Sequence, residues 1–521
     1  MQLGRLYTLV GSATLASRLS GFVRDILIAA VLGSSAVADA YIAAFLLPNL
    51  FRRVLSEGAF NTAYVPIHAR RLSEGGIESA ERFAEAALSS LVAFVLIGLV
   101  LAEAGMPLII TALAPGFSAA PQKFADAVLF ARIAFVFVGA IVVVAFLSSR
   151  LNAIGRYGLV ALAPLVLNLI LIPVLIGLLA IGWRGEARAG LALVSAVLAA
   201  GVIQLAYLAW GVRRAGLSLR LTRPGSDPDV RRLLILILPG LILAGAGHFN
   251  MVVAAQLSSG LPAAISWLYY ADRLFQLPLG FIAAAIGVVL LPEVARALRE
   301  GEPVRAEAAI NRALEFGLMF ILPASVGLMV LAVPIVDIIY RHGVFTAQDS
   351  RATADVLTAL ALGLPGFVLV KVFLPPWLAR ESVRVPIVAA LAGILANVAV
   401  TTLALPALAH GAAPLGVAVS AWVNAAVLGL TLGWTGGLAL DAAARRALPR
   451  ILLATALTAA LTVVLATWAG PLLAPQMSFA LRVTVLLGLC GTVVVAHVAL
   501  AHVLGIADLK ALAAWMQRRG A

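Results

Sequence analysis

Several charged side chains stand where charge is expensive. Arg18, Arg24 and Asp25 fall inside one long apolar segment, Asp39, Arg52, Arg53 and Glu57 inside the next, and Asp272 and Arg273 inside a much later one. A charge near the middle of a hydrocarbon layer costs roughly 2.5–3.5 kcal/mol even on the lenient insertion scale, so such residues face water or pair internally. Arg18 and Asp25 are seven apart and share a helical face. Arg24 and Asp25 are adjacent and leave a helix about 100° apart, so simple mutual neutralisation is not expected. Arg53 and Glu57 stand at i, i+4 and suit one another, which leaves Arg52 the freer arginine. Guanidinium grips phosphate or carboxylate through two parallel N–H donors. Arg18, Arg24, Arg52 and Arg273 are therefore candidates for binding an anionic substrate. Asp25, Asp39, Glu57, Asp272 and Arg53 are candidates for gating or lining its cavity. Ion pairs that merely tie helices together remain the alternative for each. The dominance of arginine argues against an organic cation as cargo.

Catalytic chemistry is not expected. The chain has no nucleotide-binding loop, Ser/His/Asp arrangement or HExxH, and so reads as neither an enzyme nor a cofactor protein. His68, His410 and His497 lack metal-ligand spacing. Cys490, the one cysteine, lies in an apolar run as a small core residue, so no metal site or disulfide is expected. Trp267, Tyr269 and Tyr270 read as interfacial or packing aromatics.

The elements that must position these residues follow from composition. Of 521 residues 63% are hydrophobic and only 12% charged, against about 25% charged in soluble domains. Mean hydropathy is +1.06. Apolar runs of about 20 residues recur from end to end, the pattern of spanning helices. A soluble enzyme, an extracellular scaffold and a disordered chain are excluded. The chain reads as an all-α polytopic membrane protein with 14 transmembrane helices, at about 7–32, 36–64, 84–112, 124–150, 157–181, 189–212, 231–257, 264–292, 308–334, 352–377, 384–407, 414–438, 448–469 and 481–504. The net charge of +13 comes from loop arginines and does not signal nucleic acid. With the N-terminus inside, 24 of the 37 basic residues, Arg150 among them, fall in inside segments and six in outside ones or their margins: Lys123, Arg184, Arg188, Arg341, Arg351 and Arg482. That ratio places both termini in the cytoplasm. The charges at 18, 24 and 25 also speak against a cleavable signal peptide.

An internal repeat organises the chain. FLLPNLF (45–51) matches FQLPLGF (275–281), and PIHARRLSEG (66–75) matches PEVARALREG (292–301). APGF (114–117) faintly echoes HGVF (342–345), and Asn168 echoes Asn397. Six helices used twice enter the membrane from the same side, a parallel repeat typical of transporters. The expected domains are an N-lobe (1–214), a cytoplasmic linker (215–230) that suits anionic headgroups, a C-lobe (231–438), two extra helices (439–505) and an amphipathic tail (506–521).

SRLSGFVRD (17–25), ADAYIAAFLLPNLFRRVLSEGAFNTAYVP (38–66), APGF (114–117) and SWLYYADRL (266–274) closely resemble the MurJ (MviN) family of lipid II flippases. The resemblance implies the multidrug/oligosaccharidyl-lipid/polysaccharide exporter fold, a V-shaped pair of lobes with helices 13 and 14 bordering a lipid-tail groove. It implies alternating-access transfer of an undecaprenyl-diphosphate-linked peptidoglycan precursor across the bacterial inner membrane, for cell-wall biogenesis. The family's essential arginines match Arg18, Arg24, Arg52 and Arg273, and its acids match Asp25, Asp39 and Glu57. Lipid II, membrane lipids and cell-wall synthesis proteins are the implied partners of a monomer. Some members carry a sodium site with a helix-7 carboxylate; LILAGAGHFNMVVAAQL offers none. Two alternatives stay open: a flippase for another polyprenyl-diphosphate glycan, and a non-transporting scaffold for wall synthesis.

Overall fold

The structure, a computed structural model, describes residues 2–54, 60–225 and 227–506, and their side chains from residue 11 onward except at 53–54, 61–62, 234 and 236–248. Among the described residues there are helices and turns but no strand. The helices are α1 (Gln2–Leu32), α2 (Ala36–Ala44), α3 (Leu46–Val54), α4 (Phe60–Leu113), α5 (Pro121–Ala153), α6 (Tyr157–Ala180), α7 (Ala187–Arg214), α8 (Pro228–Ser258) and α9 (Ala264–Arg299). They continue as α10 (Pro303–Val330), α11 (Ala332–Tyr340), α12 (Ala347–Ala361), α13 (Leu364–Ala379), α14 (Arg384–Leu408), α15 (Ala412–Trp434), α16 (Ala442–Leu473) and α17 (Phe479–Val503).

Ten helical stretches among the described residues are long and apolar enough to cross a membrane. Burial is distributed as a lipid solvent demands. On α4, Phe94, Ile97, Val100, Leu101 and Leu108 are exposed, while Asp39, Arg150, Asn311 and Asn397 are buried. Water would favour the reverse; hydrocarbon requires polar groups to find partners inside. The chain is a multi-pass membrane protein.

Packing gathers the chain into two compact units: residues up to Ser266 with His342–Thr346, and residues from Trp267 to Arg341 with those from Ala347 onward. In the first unit, α1 packs on α6, and α5 packs on α4 and α7. Glycines bring α5 and α7 together: a Cβ on Gly201 would lie 2.5 Å from the Phe137 ring, and one on Gly190 2.6 Å from that of Phe130. Small residues at such seams let membrane helices approach closely. Pro48 removes the N–H that would bond Ala44 O, and the helix breaks at Phe45 into α2 and α3. α4 turns sharply at Gly76, whose φ of 68° suits glycine. α8 packs on α4 and α3 within this unit.

The linker is strapped to α4. Ser218 N donates to Glu81 Oε2 (2.8 Å), Thr222 N to Ser89 Oγ (2.7 Å) and Gly225 N to Ser90 Oγ (2.8 Å). Arg150, expected as a loop charge, is 1% exposed. It donates to both Glu81 oxygens (2.9 and 2.7 Å) and to Ser218 O (2.5 Å). At the linker's end Arg70 and Arg71 donate to Asp229, and Arg71 also to Asp227, each at 2.7 Å. An extended segment has backbone donors that need acceptors, and the polar side of α4 supplies them.

In the second unit α14 and α15 form a tight antiparallel pair around the turn Ala409–Gly411. A Cβ on Gly416 would lie 2.2 Å from Thr401 Oγ1, so only glycine allows this approach. α16 packs on α17 and α10. His497 joins all three, with Nδ1 2.9 Å from Thr458 Oγ1 and Nε2 2.9 Å from Met319 O. It is a hydrogen-bonded core histidine. The tail from 507 onward, expected as an amphipathic helix, lies outside the described residues.

Candidate functional site

The first cluster is built on α1. Arg24 turns back on its neighbour, donating from Nε (3.0 Å) and Nη2 (2.7 Å) to Asp25 Oδ1. This corrects the expectation that the two would not neutralise one another. Their Cα–Cβ bonds diverge, but a guanidinium on its long stem reaches round the helix, and a buried carboxylate rewards it. Arg24 Nη1 also donates to Asn168 Oδ1 on α6 (3.0 Å). Asn168 Nδ2 in turn donates to Ser17 O (3.0 Å) and Ser20 Oγ (2.9 Å). Asn168 thus sets Arg24 from a second helix, a role the sequence reading missed. The signal was there: it is the one amide in the apolar run of α6. Arg18 lies on the same helix and is exposed. Arg52 donates to Asn49 Oδ1 (3.3 Å), one turn back on α3. The Arg53 side chain and Glu57, expected to pair, lie outside the described residues.

The second cluster surrounds Asp39, which is completely buried. Its Oδ2 accepts from Lys123 Nζ (2.6 Å) and Ala263 N (3.1 Å), and its Oδ1 from Ser266 N (2.9 Å) and Ser266 Oγ (2.5 Å). One carboxylate therefore ties α2 to the starts of α5 and α9. Lys123, expected as an outside loop charge, is drawn in, and its ammonium also lies 4.1 Å from the Phe117 ring centre.

Two glycine turns belong to the same unit as this cluster. Gly116 of APGF donates its N–H to Ser259 Oγ (3.0 Å), and a Cβ there would lie 2.2 Å from Gly260 N. Gly343 of HGVF has φ +61°, and its Cβ would lie 2.2 Å from Ala30 O, while Val344 N donates to that oxygen (3.2 Å). Each turn seats on the end of a long helix, α8 for the first and α1 for the second. Phe117 and Phe345 are both buried.

The third cluster lies in the second unit. Arg273 Nη2 is 3.5 Å from Asp272 Oδ2, and the guanidinium stacks on Tyr269, 4.6 Å from its ring centre. Gln276 Nε2 donates to Asp272 Oδ2 (2.6 Å). An adjacent acid–arginine pair is therefore used in both units. Among the described residues no group of three or more His, Cys, Asp or Glu is arranged to hold a metal.

The family model described as "Lipid II flippase MurJ" matches residues 28–502. The chain belongs to the lipid II flippase MurJ family. A probable lipid II flippase MurJ of Rhizobium meliloti (strain 1021) is 38% identical over 514 residues, 98% of this chain and 95% of that protein. One from Rickettsia prowazekii (strain Madrid E) is 30% identical, covering 82% of this chain and 83% of its own. Among solved structures, a lipid II flippase MurJ in an inward closed conformation superposes with a TM-score of 0.77 at 21% identity, over 95% of this chain and 98% of that one. An inward-facing multidrug resistance MATE family transporter of the MOP superfamily superposes with a TM-score of 0.68 at 15% identity, over 82% and 97%. The MurJ fold is therefore shared across nearly the whole chain.

Proposed function

We propose that this protein flips lipid II, the undecaprenyl-diphosphate-linked peptidoglycan precursor, from the cytoplasmic to the outer leaflet by alternating access. The observation that carries the reading is family membership across residues 28–502. The arginine geometry supports it. Arg18, Arg24, Arg52 and Arg273 each contribute grip on the diphosphate, and Asp25 and Asp272 hold the guanidinium beside them in place. Asp39, saturated by donors from three residues, is a gate that opens only when those contacts break together. No covalent step is involved; a ligand shifts such an equilibrium only by its differential affinity for the two states.

The topology belongs to the same proposal. Ten apolar stretches become 14 spans when Arg384–Trp434 is read as the two helices α14 and α15, and α1, α8 and the α2–α3 segment running into α4 are added. The two seated glycine turns support a six-helix repeat over 1–214 and 231–438, joined by the linker and followed by α16 and α17. Both termini are cytoplasmic in the bacterial inner membrane. The protein works as a monomer beside cell-wall synthesis proteins.

The test is lipid II exposure on the outer face of cells depleted of their own flippase. Wild type restores exposure, whereas Arg24→Ala and Arg273→Ala at matched membrane levels reduce it at least tenfold. Wild type that inserts without restoring exposure would remove lipid II as cargo. Variants as active as wild type would make the arginines structural.

A further inference from the structure

A cavity of about 350 Å³ opens in the second unit, between the ends of α10 and α16 and the helices α11 and α12. That is within the range of small-molecule sites, about 300–1,000 Å³. Its two ends differ in chemistry. Val330, Val333, Ala466 and Gly470 form an apolar wall, whereas Arg341, Arg351 and Ser350 form a polar rim. Asp337, the acid at the rim, accepts from Arg341 (3.2 Å) and from the buried Arg482. Arg482 also donates to Leu473 O at the end of α16 (3.1 Å). One carboxylate thus meets two guanidiniums, Arg341 and Arg482, while Arg351 stands at the same rim. The rim keeps an excess of positive charge, and Arg351 is exposed, with no ion pair among the described residues. The Ser350 hydroxyl at the same rim is buried without a hydrogen-bond partner. A buried hydroxyl left unpaired costs free energy that an incoming acceptor recovers.

We propose that this cavity binds a phosphate-bearing amphiphile, with the phosphate on Arg341, Arg351 and Ser350 and the chain along Val330, Val333 and the α16 face. The division of the lining decides the class. A free phosphate would use only the rim, and a plain hydrocarbon only the wall. Arg341, Arg351 and Arg482 are moreover three of the six basic residues placed on the outer side. Orientation disfavours arginine there, yet two of the three line this cavity and the third pairs with its Asp337, which points to a local cause. The leaflet rests on the orientation proposed above; the binding does not.

Native mass spectrometry of the full chain in detergent tests this, with dioleoyl phosphatidylglycerol as probe and dioleoylglycerol as the phosphate-free control. Wild type retains one phosphatidylglycerol at a concentration where Arg351→Gln retains at least fivefold less, and dioleoylglycerol is not retained. Gly470→Leu leaves every charge in place. A Cβ at Gly470 meets nothing within 4 Å, so the side chain enters the cavity and expels the lipid without disturbing the fold. Competition with geranylgeranyl diphosphate separates the sources: displacement at equal concentration assigns the site to the diphosphate lipids, and persistence assigns it to a phosphodiester headgroup. Equal retention by wild type and both variants, or equal retention of dioleoylglycerol, overturns the proposal. Because transport by Arg24 and Arg273 variants is read separately, failure here leaves the flippase reading standing.

Discussion

A single carboxylate shows what burial does to charge. Asp39 has no solvent, so four donors replace its water, one of them the ammonium of Lys123. Removing one member of a buried pair costs about 3–5 kcal/mol, whereas removing both is far cheaper. Asp39→Asn should therefore lower the thermal midpoint in detergent more than the double variant Asp39→Leu/Lys123→Met, and equal midpoints would deny the coupling. The sequence placed Asp39 correctly among the costly charges but assigned Lys123 to a loop. Positive-inside counting treats every basic residue near a span end alike and knows nothing of the acid opposite. The pairing of Arg24 with Asp25 was missed for a related reason. Helical spacing describes Cβ directions, and the guanidinium ends several bonds beyond them. Asn168→Ala removes an acceptor from Arg24 and two donor contacts to α1. It should reduce lipid II exposure at normal membrane levels, and full exposure would show that Arg24 needs no second helix to hold it.

At the scale of elements, apolar periodicity located the helices well, because hydrocarbon leaves the backbone no other way to satisfy its polar groups. The breaks were less legible. Pro48 stands in the sequence as a helix breaker, but the division of one expected span into α2 and α3 depends on the bond Ala44 O loses. The linker's course was hidden altogether, since its partners Glu81, Ser89 and Ser90 lie more than 130 residues earlier. Its far end is sensitive to pH. Burial raises the Asp229 carboxyl, but hydrogen bonds and charge from Arg70 and Arg71 outweigh it and hold the group below its ordinary value. A depressed folded-state value stabilises above the unfolded value of about 3.9 and is lost as pH falls through the folded value. Protection of the amides at the start of α8, taken relative to the intrinsic exchange rate at each pH, should thus be high at neutral pH and fall as pH drops below about 4. In Asp229→Asn it should be low throughout. The glycine turns make a second contrast. Gly216→Ala has open space around its Cβ and φ +77°, and should cost only the left-handed penalty of about 1–2 kcal/mol. Gly343→Ala meets Ala30 O as well and should lower the midpoint distinctly further.

For the whole molecule, orientation is the property to measure. With Cys490, the sole cysteine, replaced by alanine, Arg220→Cys should react with an impermeant maleimide only from the cytoplasmic side and Glu186→Cys only from the outside. The opposite pattern would invert the topology. The proposed repeat rests on two proline-anchored blocks whose spacing differs by four residues between the copies, about one helical turn, whereas APGF and HGVF share little beyond a glycine and a phenylalanine. Structure makes them comparable: each is a turn seated on a helix end. The second of these seats has a consequence for biogenesis. Ala30 and Gly33 are made near the beginning of synthesis, but the turn that covers them ends at residue 346. At 5–20 residues per second the ribosome needs roughly 15–60 s to supply it. Throughout that interval the early helices sit in the membrane with an unfilled socket at the end of α1. The first unit is therefore completed by the second half of the nascent chain. A truncated product stopping before residue 342 would present that open socket to membrane quality control.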